Sequence, residues 1–339
     1  MLRKLSMTDI IPNGLLSTAF MPATPRDLPA WTLAATALRA GQPAALLCVV
    51  HSAGSSPGRQ GFKMVVTAEA VAGSIGGGIM EHKWVELARQ RLRAGDYAPL
   101  LRPQIHRREA PAHRSGMMCA GEQDVLLWPL RPEDAPTVAA IETALQTLGG
   151  GAWEVSEATG LRLASAGPPD FYDYQPGPAW RYHEQLGFRH QLTIVGGGHV
   201  SLALSRLASQ LEFEITVLDD RADLPTLEAN HYAHHRQRVA YETLCVPPGP
   251  RRFVVVMTVG YRTDAVALRR LLGHGYAYLG VMGSATKVAE LRRLLAEEGF
   301  TAADLARLSG PTGVPINSRT PEEIAVSVAA ELIAVRNRR

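Results

Sequence analysis

The chain has 339 residues, of which 46% are hydrophobic and 20% are charged, and 35 basic against 32 acidic residues give a formal net charge of +3. This composition excludes a largely disordered or low-complexity chain, and the length predicts two compact domains. Because the charge is weak and scattered, it predicts neither a nucleic-acid partner nor an anionic membrane surface.

The three cysteines, Cys48, Cys119 and Cys245, lie far apart and form no Cys-x-x-Cys pair. This spacing supports neither a disulfide framework nor a thiolate metal site, so we expect no bound structural metal and a reducing environment. The chain has no run of eighteen apolar residues, and Pro12 and Gly14 interrupt its apolar start. We therefore expect a cytoplasmic protein without a membrane segment.

In the first half, short apolar runs alternate with turn-forming stretches. A helix is predicted to begin near Asp27, whose carboxylate can cap it, and buried strands are predicted at 44–50, 63–67 and 124–130. A glycine triplet at 76–78 opens a surface helix that ends near Gly95. Residues 149–189 are rich in glycine, proline and aromatic residues without sustained periodicity, and they predict a connector that ends in a domain boundary near Gly187.

From His190 onward, apolar strands alternate with amphipathic helices. The strand LTIV is followed by a glycine turn, the helix HVSLALSRLASQL and the strand EITVLDD, and RFVVVMT and AYLGVMGS are each followed by a helix. This alternation predicts parallel strands with helical crossovers. The predicted fold is α/β: a Rossmann-like doubly wound parallel sheet in residues 187–339, and a smaller N-terminal α/β (α+β) domain with a tail and a connector in residues 1–186.

The strongest candidate site follows the first of these strands. Gly196, Gly197, Gly198 and His199 lie between a strand and a helix, and Asp219 and Asp220 end the next strand. Glycines at this position let backbone N–H groups approach a phosphate at the helix N-terminus, and the acidic residues can accept hydrogen bonds from ribose hydroxyls. The pattern predicts a bound dinucleotide such as NAD; the alternative is a turn kept for packing alone.

Two further glycine-containing loops precede helices and are also candidates to bind a phosphate or another anion. Gly76, Gly77 and Gly78 precede a helix that carries Glu81, and the nearby loop with Ser55, Ser56 and Arg59 supplies hydroxyls and a guanidinium suited to an oxyanion. The third loop contains Gly283, Ser284 and Lys287 at a strand end. Three such loops favour a ligand with several phosphate or carbonyl groups.

Other polar residues divide into one functional candidate and several structural ones. Cys119 lies in the glycine-flanked sequence GMMCAG and is a candidate for handling sulfur or a soft metal, whereas Cys48 is predicted to be inert core. Three histidines at 231, 234 and 235 are interpreted as a solvated loop rather than a metal site. Thr320 and Glu323 predict a capping box at the last helix.

These blocks, taken in order, resemble the XdhC/CoxI family, whose members help to mature molybdenum hydroxylases. The resemblance covers both halves of the chain and lies in GSSPGRQGFKMVV, GSIGGGIMEH and the MCAG loop, and then in VGGGHVSLAL, ITVLDDR, VVVMT, LGVMGSATK and TPEEIAVSVAAE. The sequence departs from the family pattern at Ala120, at Val259, where a histidine is common, and at Asn317-Ser318.

The resemblance implies a chaperone that binds the molybdenum cofactor as molybdopterin or its dinucleotide form. It also implies assistance with cofactor sulfuration by a cysteine desulfurase, followed by insertion into a xanthine dehydrogenase-type apoenzyme. On this basis we expect the cofactor to lie between the two domains, with its phosphate arm on Gly196–His199 and Asp219 and its metal end near Gly76–Glu81 and Cys119. A homodimer is plausible by analogy with other docking factors.

Two other functions are open at this point. The first is an NAD-dependent oxidoreductase that uses the same glycine turn, although the sequence offers no set of acid, base or metal ligands beside a hydride acceptor. The second is a scaffold that has lost its ligand and docks a partner enzyme, an interpretation to which Val259 adds weight. A cofactor-binding chaperone is favoured over a turnover enzyme.

Overall fold

A computed structural model describes residues 22–105 and 121–338. The first half contains two antiparallel sheets, one with the strand order β3-β2-β1-β5-β4 and one with the order β7-β6-β9-β8. Its elements are α1 (Leu28–Arg39), β1 (Ala44–Ala53), β2 (Lys63–Thr67), β3 (Val71–Gly73), α2 (Gly78–Arg93), β4 (Leu100–Ile105), β5 (Glu122–Leu130), α3 (Ala135–Thr147), β6 (Ala152–Ser156), β7 (Gly160–Ala164), β8 (Tyr172–Gln175) and β9 (Arg181–Gln185).

Alternating side chains of the five-stranded sheet pack in opposite directions. Leu46, Cys48 and Val50 belong to a core shared with α1, α3 and the second sheet, whereas Leu47 and Val49 belong to a core shared with α2. This is the two-residue period of a sheet that is covered on both faces. The apolar run at 44–50 is therefore a buried strand, as its sequence predicts.

The second sheet was not expected from the sequence. Residues 152–185 form four paired strands, and Trp153 and Tyr182 are fully buried in the core they share with α1. The connector interpretation is therefore wrong for these residues. Their aromatic side chains stabilise a short sheet through cross-strand packing, although glycine and proline in the turns obscure the two-residue period.

The second half is a six-stranded parallel sheet with the order β12-β11-β10-β13-β14-β15, which is 3-2-1-4-5-6 in chain order. Its elements are β10 (His190–Val195), α4 (His199–Ala208), β11 (Phe213–Asp219), α5 (Pro225–Glu228), β12 (His235–Arg238), β13 (Gly249–Val256), α6 (Tyr261–Leu271), β14 (Tyr276–Val281), α7 (Ala285–Glu297), α8 (Ala302–Ala306), β15 (Leu308–Ser309) and α9 (Pro321–Arg336). This is the Rossmann strand order, so the predicted fold class is confirmed.

Helices cover both faces of the parallel sheet. Residues of α4 and α9 pack with Leu192, Ile194 and Val255 on one face, and residues of α6 and α7 pack with Val254 and Val256 on the other. The change in strand order between β10 and β13 leaves a crevice at the carboxyl ends of these strands. Within the described ranges, no helix has the length and apolarity needed to span a bilayer.

The two halves contact each other at the amino edge of the parallel sheet. Arg26 Nε lies 3.2 Å from Glu212 Oε1, just before β11. The Nε2 atom of His234, just before β12, lies 2.7 Å from the carbonyl oxygen of Ala23. Arg251, near the start of β13, donates hydrogen bonds to the Pro169 carbonyl (2.6 Å) and to Gln185 Oε1 (2.9 Å). This contact surface lies at the end of the sheet opposite the crevice. The domain limits 1–186 and 187–339 stay a prediction.

Candidate functional site

The glycine turn after β10 lies at the crevice, and its first glycine is required by the fold. Gly196 has a φ of +114°, and a Cβ atom there would lie 2.3 Å from the carbonyl oxygen of Met257. The turn after β10 therefore lies in backbone contact with the residues that follow β13. The predicted strand, glycine turn and helix are all present at this point.

The start of α4 offers backbone N–H groups to a ligand. Gly198 is the N-cap residue, and no side chain of a described residue caps the helix. The first turn of α4 contains no acidic residue, and, its two chain neighbours aside, no atom of residues 22–105 and 121–338 lies within 4 Å of a Cβ built on Gly198. Since first-turn N–H groups have no partner within a helix, this terminus is suited to bind an anion.

Asp219 does not present a free carboxylate to this crevice. It is fully buried, and its Oδ2 accepts hydrogen bonds from Gly197 N (2.6 Å) and from Arg221 Nη2 (2.8 Å). Its Oδ1 accepts bonds from the backbone N and the Nε of Arg221, each at 2.9 Å. Burial by itself would raise the pKa of Asp219, but these hydrogen bonds outweigh it and lower that pKa.

The expected contact between Asp219 and a ribose is therefore not available in this arrangement. Both oxygens already hold the glycine turn and the Arg221 side chain in place. Asp220, which follows it, is only partly buried. The sequence pattern Asp-Asp-Arg contains the signal that was missed, because an arginine two residues after an aspartate can fold back on its carboxylate.

The third predicted loop is also occupied by internal contacts. Ser284 Oγ caps α7 by accepting a hydrogen bond from Lys287 N at 3.2 Å. Lys287 Nζ donates to the Met282 carbonyl at 3.1 Å and forms an ion pair with the fully buried Asp264. Asp264 in turn accepts a hydrogen bond from Thr258 Oγ1 at 2.6 Å. In the Gly283–Ser284 loop, Ser284 therefore caps α7, and Lys287 connects α7 with α6 instead of presenting a free cation.

The glycine loop of the first half carries its own carboxylate too. Glu81 Oε2 accepts hydrogen bonds from Ser74 Oγ (2.6 Å), Ile75 N (2.9 Å) and Gly77 N (2.9 Å). Glu81 thus takes two backbone N–H groups of the Gly76–Gly78 loop region, whereas no side chain of a described residue caps the first turn of α2. This carboxylate closes the loop at the start of α2, where the helix dipole favours a negative charge.

The structure brings this loop against the serine-rich loop, as the sequence predicts. Gln123 Oε1 accepts hydrogen bonds from Ser56 Oγ (2.7 Å) and from Gly58 N (3.0 Å). A Cβ atom on Gly76 would lie 2.5 Å from Gly58 N, so the two loops touch through their backbones. Ser55 and Arg59 are exposed, although Arg59 Nη1 donates to the Gly54 carbonyl at 2.8 Å.

The cysteines and histidines considered in the sequence analysis differ in their surroundings. Cys119 lies outside the described residues, so its role stays a prediction. Cys48 is fully buried, and this burial raises the pKa of its thiol. His235 starts β12, and His234 contacts Ala23. In the described parts of the chain, no cluster of histidine, cysteine, aspartate and glutamate has the composition to hold a metal ion.

The hydrogen bonds and ion pairs between the halves lie at the amino edge of the parallel sheet, so the expected placement of one cofactor between the two domains stays a prediction. The Gly196 turn follows the carboxyl end of β10, and the first half touches the amino edge. The six residues of β10 separate the two edges by about 17 Å. Among the described residues, no hydrogen bond or ion pair joins the loops at 54–61 and 74–81 to the parallel sheet.

Comparison with known proteins gives matches on both halves of the chain. The family model for the XdhC and CoxI family matches residues 37–102, and the model for the XdhC Rossmann domain matches residues 192–332. The chain is 28% identical over 301 residues to the uncharacterized protein YqeB of Escherichia coli (strain K12), a match that covers 87% of this chain and 44% of YqeB.

A second relative is a probable xanthine dehydrogenase subunit of Bacillus subtilis (strain 168), which is 29% identical over 150 residues, or 44% of this chain and 43% of that protein. The chain thus spans less than half the length of both curated relatives. A crystal structure described as a xanthine dehydrogenase from Bacillus halodurans shares the fold, with a TM-score of 0.66 and 22% identity over 91% of this chain and 97% of that one. Since one family model matches each half, in the expected order, the chain belongs to the XdhC and CoxI family.

Proposed function

We propose that this chain is an accessory protein that matures a molybdenum hydroxylase of the xanthine dehydrogenase type. In this proposal it binds the molybdenum cofactor, as molybdopterin or its dinucleotide form, assists sulfuration together with a cysteine desulfurase, and passes the cofactor to the apoenzyme. Family membership and the names of the Bacillus subtilis and Bacillus halodurans relatives support a xanthine dehydrogenase-type partner.

The observation that carries the proposal is the uncapped start of α4 at the strand-order switch point. The phosphate or pyrophosphate of the cofactor needs convergent N–H donors and close approach to the backbone, and the open space at Gly198 allows both. Ser201, in the first turn of α4, is fully buried, and its hydroxyl has no hydrogen-bond partner among the described residues. When bound, the cofactor supplies the molybdenum centre that the client enzyme needs.

The oxidoreductase alternative receives less support from the same residues. An NAD-binding site of this fold uses a carboxylate at the end of the second strand to hold the ribose hydroxyls. Both oxygens of Asp219 are already bound by Gly197 and Arg221. A phosphate-bearing ligand whose main contact is the start of α4 fits this arrangement better than a ribose held by Asp219.

The proposal predicts that the protein retains molybdopterin when it is purified from a host that makes it. Bound pterin is released, oxidised and measured by fluorescence, and molybdenum is measured in the same sample. Pterin without NAD binding supports the carrier function. Tight NAD binding without pterin supports the oxidoreductase, and binding of neither favours the scaffold that only docks a partner.

A substitution at Gly198 tests the α4 terminus directly. Gly198→Asp places a carboxylate at the N-cap, where it satisfies the first-turn N–H groups and repels a phosphate. Position 198 has a φ of −72° and open surroundings, so it accepts a side chain, and the melting temperature of the variant should not fall. We expect pterin retention to drop at least about tenfold, because a lost charge-assisted contact amounts to about 1.5–3 kcal/mol.

Gly198→Asn is the matched control, because it caps the helix without adding a charge. We expect its pterin retention to lie between those of the wild type and Gly198→Asp. Retention by Gly198→Asp equal to that of the wild type would remove the start of α4 from the site.

A further inference from the structure

Three arginine side chains lie at the amino edge of the parallel sheet. Arg189 immediately precedes β10, Arg251 lies near the start of β13, and Arg336 is the last residue of α9. Since β10 and β13 are hydrogen-bonded neighbours, Arg189 and Arg251 enter this edge from adjacent strands. We call Arg189, Arg251 and Arg336 the arginine cluster.

Two members of the arginine cluster lie over aromatic rings of the first half. The guanidinium carbon of Arg189 lies 5.2 Å from the ring centroid of Tyr172, and that of Arg251 lies 5.6 Å from the ring centroid of Phe171. These two rings contact each other, with centroids 4.9 Å apart. Both positive charges are therefore held beside apolar rings, where the local dielectric is lower than in water and an anion is attracted more strongly.

Arg336 and His190 share a third ring. The guanidinium carbon of Arg336 lies 5.5 Å from the ring centroid of the fully buried Phe213, and the imidazole centroid of His190 lies 5.9 Å from it. Burial and the arginine cluster lower the pKa of His190 to about 3. The imidazole is therefore neutral at neutral pH and adds an N–H donor beside the cluster, not a fourth charge.

No carboxylate in ranges 22–105 and 121–338 forms an ion pair with the arginine cluster. Glu212 Oε1 lies 3.2 Å from Arg26 Nε instead. Burial and the like charge of Arg189 lower the pKa values of the other two members, although Asp170 and Glu212 act in the opposite direction. The cluster thus holds like charges that a bound anion would stabilise.

The guanidiniums are fixed in place but keep donors to spare. Arg251 donates through Nη1 to the Pro169 carbonyl (2.6 Å) and through Nη2 to Gln185 Oε1 (2.9 Å), and Arg336 donates through Nη1 to the Leu211 carbonyl (2.7 Å). A guanidinium has five N–H donors, so each of these side chains has further N–H groups for a ligand. Because both are already held, little side-chain freedom is lost when an anion binds.

We propose that the arginine cluster and the N–H of His190 bind a phosphate group, as inorganic phosphate or as a phosphate monoester. Planar guanidiniums match the oxygens of an oxyanion, and a phosphate monoester carries about 1.5–2 negative charges at pH 7, enough to balance more than one arginine. Two members of the cluster contact the first half and the third ends α9, so the bound anion strengthens the contact between the halves. This site lies at the edge of the sheet opposite the start of α4.

Isothermal titration calorimetry with inorganic phosphate tests the proposal. Phosphate can also bind the start of α4, so the titration uses the full chain carrying Gly198→Asp. We expect a Kd below about 1 mM, and no binding heat from sodium chloride at equal ionic strength. Adding Arg189→Gln should weaken binding at least about tenfold, because a charge-assisted contact is lost. Arg102→Gln, which removes an exposed arginine of β4, is the matched control and should bind like its parent.

The imidazole of His190 reports the site directly. In NMR titrations, phosphate should raise the pKa of His190 by at least about one unit, because the anion opposes the charges of the arginine cluster. His190→Gln identifies the signal, and circular dichroism checks that each variant is folded. Methyl phosphate is titrated in parallel, and the tighter of the two ligands identifies the source of the phosphate group.

Three results would overturn the proposal: no phosphate binding by Gly198→Asp, equal affinity with and without Arg189→Gln, or a pKa of His190 that chloride raises as much as phosphate does. These measurements need no pterin. The phosphate site therefore stands or fails separately from the carrier function.

Discussion

At the scale of single residues, both glycine turns are closed by a carboxylate from the same chain. Asp219 binds Gly197 N, and Glu81 binds Ile75 N and Gly77 N. The sequence identified the turns, but it assigned these acids to a ligand, because a linear pattern does not show whether a side chain points outward or folds back. In the first turn of α4, no side chain of a described residue caps the N–H groups, so they remain available to an anion.

The first prediction at this scale concerns the position of the turn itself. Gly196→Ala should lower the free energy of unfolding by about 2–4 kcal/mol, because its Cβ would meet the Met257 carbonyl at 2.3 Å and its φ is +114°. Gly198→Ala, where the space is open, should change that free energy by less than about 1 kcal/mol. Urea denaturation of the two variants measures the difference, and equal stabilities would show that the contact at Gly196 is not tight.

At the scale of elements, helix ends were predicted well where the partner is local. Thr320 Oγ1 accepts a hydrogen bond from Glu323 N at 3.2 Å, and Glu323 Oε2 accepts one from Thr320 N at 3.2 Å, so the capping box is confirmed. The cap expected from Asp27 is wrong. Its carboxylate lies 2.6 Å from Nζ of the fully buried Lys63, which also binds Glu184 at 2.6 Å.

The link between α6 and α7 leads to the second prediction. Lys287→Met should lower the free energy of unfolding by about 2–4 kcal/mol, because it leaves the buried carboxylate of Asp264 without its cation. Apart from that ion pair, Asp264 Oδ2 has no hydrogen-bond partner among the described residues. Thermal and urea denaturation provide the measurement.

Two controls accompany this substitution. Lys83→Met on α2 removes an exposed lysine and should be nearly neutral. Combining Lys287→Met with Asp264→Asn should recover part of the loss, since no charge remains buried. If Lys287→Met is as stable as Lys83→Met, the ion pair does not support the fold.

At the scale of the whole molecule, the contact between the halves is rich in arginine and lies at the amino edge of the parallel sheet. His190, at the start of β10, packs with its ring centroid 5.9 Å from that of Phe213 and 5.8 Å from that of Phe253. Burial, together with Arg189, Arg336 and Arg251, lowers the pKa of His190 to about 3. The imidazole therefore stays neutral in the folded protein at pH values where it is charged in the unfolded chain.

The third prediction follows from this difference in proton binding. Between the unfolded pKa of 6.5 and the folded pKa of about 3, the unfolded chain binds more protons at His190, so its contribution to stability falls as the pH is lowered. His190→Gln should remove this dependence. Relative to the variant, the wild type should lose about 2–4 kcal/mol of its free energy of unfolding between pH 7 and pH 4. Urea titrations at both pH values measure this stability difference. If the difference does not change with pH, the pKa of His190 is not lowered in the folded protein.

The sequence by itself determined the class of fold, the Gly196 turn, the final capping box and the family. These features depend on patterns of neighbouring residues: apolar periodicity, glycine at a strand end, and a threonine three residues before a glutamate. Tertiary structure alone decided the four-stranded sheet in residues 152–185 and the edge at which the halves meet. It also decided the partners of Asp219, Glu81 and Lys287. Each of these features is a contact between a side chain or strand and a partner. Several of the partners are distant in the chain or belong to another element. The spacing of neighbouring residues therefore does not specify them.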